Sequence, residues 1–159
     1  MSDADCGFTR SGHRFRYRAA AIIVEEGNML LMGNDRDGFL YTVGGAVQLG
    51  ESAEDAVRRE CMEETGAEYE PDRLVAVQEE FFDWDDGTGT VWRCQEIVMY
   101  FLMVPRGTME LPPHRSDAHG AEEHTVWVPL DDLHSHLVVP GFIQDVGSWS
   151  GPLVHRVCH

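Results

Sequence analysis

The first third of the chain carries two apolar rhythms in succession. In "RFRYR" (14–18), Phe15 and Tyr17 alternate with arginines, which is the period of a half-buried strand. Residues 19–24 are continuously apolar, as in a strand buried on both faces. Glu26-Gly27-Asn28 supplies turn residues and residues 29–32 return, so 14–34 reads as a hairpin. "RLVAVQEEFFDW" (73–84) and "VWRCQEIVMYFLMV" (91–104), separated by the turn cluster "DDGTG" (85–89), predict a longer antiparallel hairpin. Shorter strands are expected at 39–43 and 124–130, and a loop over 105–123.

The rhythm turns helical only after residue 51. Ser52 with Asp55 is a capping-box-like start, Ala53, Val57 and Cys61 recur every four residues, and Gly66 is a stop. These predict a helix over 53–65. A second helix is expected from 131 to 138, capped by Asp, and a helix or turn over 140–149. Strands before and after one strong helix give an α+β or α/β class with a mixed sheet. There is no repeat or linker, so residues 1–159 are expected to form a single domain, with 1–13 a flexible N-terminal segment.

A length of 159 residues, 43% of them apolar, supports one domain with a real core. The longest apolar run, 97–104, is too short to span a bilayer, and "MSDADCGFTRSG" lacks the apolar stretch of a secretory signal. Cytoplasmic residence without membrane attachment is therefore expected. Cys6, Cys61, Cys94 and Cys158 have no C-x-x-C spacing, which points to reduced thiols rather than a zinc knuckle. A net charge of −16 repels polymeric nucleic acid, but admits a small anion reached through metal ions and local arginines. All twelve basic residues are Arg; the planar fork suits phosphate, but coding bias is the plainer and favoured cause.

The candidate chemistry lies in "GGAVQLGESAEDAVRRECMEETGA" (44–67). On a helix Glu60, Glu63 and Glu64 are neighbours, with Cβ atoms about 5–6 Å apart. Each like-charge pair costs about 0.2–0.5 kcal/mol at a surface, and more where the dielectric falls. One reading is a solvated acidic face relieved by Arg58 and Arg59. The other follows from Gly44-Gly45, which opens a loop ending at Gly50-Glu51 and lets backbone approach a ligand closely. Backbone oxygen and helix carboxylates would then form a hard oxygen site for Mg²⁺ or Mn²⁺.

Gly45, five residues, Glu51, seven residues and then Arg59-Glu60-Cys61-Met62-Glu63-Glu64-Thr65-Gly66-Ala67 resembles the Nudix box of the Nudix hydrolases. The weak positions are Cys61 and Ala67, where the pattern wants larger aliphatic residues, and Val43 replaces the usual proline before the glycines. More loosely, the resemblance spans 19–133. It implies an α/β/α sandwich with a mixed sheet. It also implies metal-dependent hydrolysis of a phosphoanhydride in a nucleoside diphosphate linked to another group. Glu60, Glu63 and Glu64 would be metal ligands, with a carbonyl of Gly44 or Gly45. Arg59 would hold a carboxylate of the catalytic helix, and Glu51 would brace the loop or join the metal site through water. Glu60 is the first candidate for general base. Some members use a distal glutamate, for which Glu123 is the first choice, then Glu122, and Glu79 or Glu80. The alternative function is a Nudix domain that binds a nucleotide metabolite as a sensor without turnover; an intact glutamate cluster favours the enzyme. A homodimer is possible by analogy. Some substrate classes carry a marker proline or tyrosine downstream of the box; Phe-Asp-Trp-Asp at 82–85 carries neither.

Other features are weighed against plainer readings. Arg14, Arg16 and Arg18 share a strand face and either grip phosphate, form a dimer contact or protect an edge strand. Phe81, Phe82, Trp84 and Trp92 either stack a base, or pack a core or a subunit interface, the plainer reading. "DWDDG" (83–87) lacks the glycine and closing glutamate of a calcium loop and reads as a turn. His134 and His136 point apart on a helix and read as surface residues; His114, His119 and His124 are assigned nothing.

Overall fold

Strand β2 (His13–Glu25) is the spine of the molecule, and it is shared between two parts of a curled mixed sheet. Its first ten residues run parallel to β7 (Val91–Met103), from His13↔Arg93 to Ile22↔Leu102. Its last residues pair antiparallel with β3 (Asn28–Asn34) through the turn at Glu26-Gly27. The computed structural model describes residues 4–113 and 122–159. Part of the expected 105–123 loop, with His114 and His119, lies outside them.

Residues 19–23 are all buried because both faces of β2 are covered. Ala19, Ala21 and Ile23 join the core beneath helix α1 (Ala53–Thr65), against Val57 and Cys61. Ala20 and Ile22 face the other core, with Leu133, Phe142, Ile143 and Trp149. That second side is roofed by two single 3₁₀ turns, Leu133–Ser135 and Gly141–Gln144, and by the four-residue α2 (Gly147–Ser150). The α/β/α sandwich is thus present with a thin second helical layer. No helix among the described residues is long and apolar enough to cross a membrane.

The long hairpin is as expected. β6 (Pro71–Asp85) pairs antiparallel with β7 around a turn in which Asp86 Oδ1 accepts the Thr88 amide. β8 (Glu123–Pro129) adds to β3. Helix α1 has the expected bounds for physical reasons. Ser52 Oγ accepts from the Asp55 amide at 3.1 Å, and Gly66, at φ 70°, returns its amide to the Met62 carbonyl.

The structure departs from expectation in five places. Residues 7–10 of the segment expected to be flexible form β1 (Gly7–Arg10) on β2, with Phe8 stacked on Phe15. The 39–43 strand splits into β4 (Leu40–Tyr41) and β5 (Val43–Ala46), and β5 places Gly44 and Gly45 in a strand rather than a loop. The 131–138 helix shrinks to one turn, because Val138–Val139 extends as β9 against β4. β10 (Val154–Cys158), unforeseen, runs parallel to β6. β2 is central rather than an edge, so its arginines are not edge protection: Arg16 and Arg18 both bind the buried Glu96 of β7.

Candidate active site

Gly44 passes so close to the backbone of β2 that no side chain fits, and Gly45 lies against the Glu60 carboxylate. A Cβ on Gly44, at φ 156°, would meet the Ala19 carbonyl oxygen and Ala20 Cα of β2, and one on Gly45 would meet the Glu60 carboxylate. The strand therefore lies directly on the acidic face of α1. The Gly44 amide donates to Glu64 Oε2 at 3.1 Å, which holds that carboxylate on the strand.

Arg59 organises the remaining acids. Its Nε and Nη2 donate to the two oxygens of Glu51 at 2.8 and 3.0 Å, its Nη1 to Glu60 at 2.6 Å and Glu63 at 3.2 Å, and Nη2 also to the Ala46 carbonyl at 2.9 Å. The bidentate bond holds the Glu51 carboxyl below its ordinary range and Arg59 above its own. Glu51 in turn accepts from the Gln48 amide at 3.0 Å, so the loop between β5 and α1 is tied to the helix. Lys has no planar fork to reproduce this. Arg59→Lys is expected to weaken whatever this acidic face binds by about 10–100-fold, as loss of a group orienting a ligand does, measured by titration of Mn²⁺.

Glu60 and Glu64 are the acids left short of countercharge. Burial raises the Glu60 carboxyl even against Arg59. Burial first, then repulsion from Glu60 and Glu123, pushes the Glu64 carboxyl from 4.5 up to about 8. The folded protein thus holds this proton more tightly than the unfolded chain does, and stability falls as pH rises from about 4.5 to 8. The melting temperature of metal-free protein is expected to drop between pH 5 and 8. Glu64→Gln should flatten that slope, and Mg²⁺ should raise the melting temperature more at pH 8 than at pH 5.

The donors are hard oxygens with unbalanced negative charge, which suits a divalent cation. Among the described residues, however, no three His, Cys, Asp or Glu side chains are already drawn together as a metal-holding group. Glu60 and Glu63 are turned to Arg59, and Glu64 to Gly44. Arg59 would keep its Glu51 partner if the other two carboxylates left it.

A family model described as the NUDIX domain matches residues 14–145. The chain belongs to the NUDIX family. Its members are hydrolases of phosphorus-containing acid anhydrides that generally use divalent metals, and this chain is an enzyme of that class. Its fold is similar to that of the MutT protein from Bacillus halodurans, at 20% identity over 91% of this chain and 90% of that one, with a TM-score of 0.65. MutT from Methanosarcina mazei gives 19% identity over 86% and 92%, with a TM-score of 0.60. An ADP-ribose pyrophosphatase from Streptococcus suis gives 20% over 89% and 98%, with a TM-score of 0.56. These likenesses bear on fold. No curated protein matches significantly.

A cleft of about 790 Å³ opens over the strand face that carries Arg16, Arg18 and Glu96. Glu123 lines it and also lines the small pocket that holds Glu64. Tyr41, which no local pattern had marked, donates its hydroxyl to Glu123 Oε1 at 2.7 Å. Burial and that bond hold the phenol above its usual range, so it stays a donor. Of the other distal candidates, Glu122 is exposed, Glu79 pairs with His155, and Glu80 accepts from Gln78. The Arg16–Glu96–Arg18 group lies on the cleft wall. Phe81, Phe82 and Trp84 are among its lining residues, whereas Trp92 braces the hairpin turn through Asp86. Arg14 covers Trp84 at 4.9 Å. His136 meets Asp132, as a surface histidine does.

Proposed function

We propose that this NUDIX enzyme hydrolyses a phosphoanhydride bond in a nucleoside diphosphate linked to another group, with Mg²⁺ or Mn²⁺ as cofactor. The observation that carries this reading is the pair of half-buried carboxylates, Glu60 and Glu64, held against Gly44-Gly45, with Glu64 in a small pocket that Glu123 also lines. Glu60, Glu63 and Glu64, with the carbonyl of Gly44, would hold the cation. When bound, it neutralises diphosphate oxygens and makes water more acidic.

The protein's own part is positioning and proton transfer. Arg59 and Glu51 fix the loop against the helix, so that the glutamates meet the substrate from one side. Glu60 is assigned as general base, taking the proton of the attacking water on a carboxylate oxygen. Glu123, held by the Tyr41 hydroxyl, is the second candidate. A cytoplasmic setting accords with four unpaired thiols.

The test is phosphate or pyrophosphate release from a panel: normal and oxidised nucleoside triphosphates, ADP-ribose, dinucleoside polyphosphates and nucleotide sugars. Release from at least one, dependent on Mg²⁺ or Mn²⁺, is expected. Nucleotide binding with no release from any would instead support a sensor.

A further inference from the structure

One face of the sheet carries a band of charge across three strands. Arg16 stands opposite Glu96 and Arg18 opposite Val98 in the β2–β7 register; Glu80 stands opposite Glu96 and Gln78 opposite Val98 in the β6–β7 register. Paired residues, and residues two apart along a strand, share a face, and Arg16, Arg18, Glu80 and Glu96 all line the cleft. Glu96 is only 2% exposed, and Arg16 alone supplies it with a counterion. Arg16 Nε donates to Glu96 Oε1 at 2.6 Å, and Arg16 Nη2 reaches the same oxygen. Glu80 accepts from Gln78 Nε2 at 2.5 Å, and burial raises its carboxyl, which favours the uncharged form. Two guanidinium groups thus share one fully committed carboxylate.

Arg18 is the cation with donors to spare. Among the described residues its one side-chain hydrogen bond is from Nη1 to Glu96 Oε2, at 3.2 Å. Its Nε is closed off from solvent and has no partner. A buried donor without an acceptor is costly, and native proteins keep few of them. The side chain as a whole is 27% exposed and lines the cleft. Arg18 also stands next to the proposed cation site. It pairs with Ala46 of β5, the strand whose Gly44 and Gly45 lie against Glu64 and Glu60. Burial raises the carboxyls of Glu60 and Glu64, and the charge of Arg18 opposes that rise in both. In a chain of net charge −16, a guanidinium with free donors at this place suits an oxyanion, whose oxygens match its planar fork.

We propose that Arg18 binds a phosphoryl group of the substrate from the cleft side, independently of the cation, and is a specificity-determining residue. It selects anhydrides that carry a phosphoryl group reaching over the Arg16–Glu96–Arg18 band. The inference rests on the phosphoanhydride-hydrolase reading for its substrate, and on the spare donors of Arg18 for its location.

Arg18→Lys keeps a charge beside Glu96 but removes the fork; a thermal melt checks that it folds. Calorimetric titration with inorganic pyrophosphate in EDTA reads the site without metal or turnover. Arg18→Lys is expected to bind about 10-fold more weakly than wild type, as loss of one hydrogen bond to a charged group does. Equal affinity overturns the proposal. With a nucleotide that wild type hydrolyses, Arg18→Lys should raise KM by a similar factor and change kcat less than about threefold. A fall in kcat without a rise in KM is what a purely structural arginine would give, and it too overturns the proposal. In wild type, the Nε–Hε resonance of Arg18, assigned by through-bond correlation, is followed by NMR in the same metal-free buffer. It should move saturably with pyrophosphate and stay in place with a nucleoside that lacks phosphate. No movement with pyrophosphate, or equal movement with the nucleoside, overturns the proposal. This arm needs neither a variant nor turnover, so it decides the role of Arg18 even if Arg18→Lys does not fold. It also decides it if wild type hydrolyses no anhydride, an outcome that would count against the hydrolase reading alone.

Discussion

Glu60→Gln is expected to lower kcat by at least about two decades, the lower end of what a positioned acid–base group contributes, while the protein stays folded. Gln is nearly isosteric and can still accept from Arg59 Nη1, which reaches Glu60 at 2.6 Å. It also fits under Gly45, where the Glu60 carboxylate now lies. What it loses is charge: it cannot take a proton from water, and it is a poor ligand for a hard cation. Burial already disfavours the Glu60 charge, so removing that charge should not weaken the fold. A kcat within about threefold of wild type, at saturating Mg²⁺ and with an unchanged melting curve, would sink the assignment. Glu63→Gln is expected to change activity in the same direction, with less structural consequence because Glu63 is half exposed.

The second large effect is on folding. Gly44→Ala is expected to cost about 2–3 kcal/mol of stability, as overpacking against backbone does, and to lower the melting temperature by roughly 5–10 °C. The added Cβ meets the Ala19 carbonyl and Ala20 Cα, which belong to the central strand and cannot rotate away. Its φ of 156° is also one that residues with a side chain rarely adopt. Displacing β5 would withdraw the amide that holds Glu64, so metal-dependent activity should fall with stability. Gly45→Ala makes the contrast. Its Cβ meets only the movable end of Glu60, so stability should change little while turnover drops. Thermal melts and initial rates on both variants separate the two outcomes.

Features written in neighbouring residues were legible from the sequence. Helix α1 could be bounded because Ser52 and Gly66 cap it by local hydrogen bonds. The convergence of Glu60, Glu63 and Glu64 follows from helical spacing alone. Features that depend on distant pairing were not. Arg16 and Arg18 look like edge charges until β7 is known to run parallel to β2 and bring Glu96 between them. Tyr41 and Glu123 meet across 82 positions. Gly44 and Gly45 have poor strand propensity, and only contact with β2 and α1 makes them β5. The short, mostly exposed β10 lacks a strong apolar pattern, so neither the strand nor the cleft wall it supplies could be anticipated. At 131–138, a capping Asp suggested a helix. Asp132 makes no cap bond, and the valines that follow pair with β4 instead.

The central claim is that the glutamates of α1 form a cation site. Titration of Mn²⁺ into the protein, followed by calorimetry in the presence of a nucleotide, tests it most directly. Wild type should give saturable heat that Glu60→Gln and Glu64→Gln each diminish strongly and that Glu122→Gln, on an exposed residue outside the helix, leaves intact. A wild type without such heat, or Glu60→Gln and Glu64→Gln variants that bind as well as wild type, would contradict it.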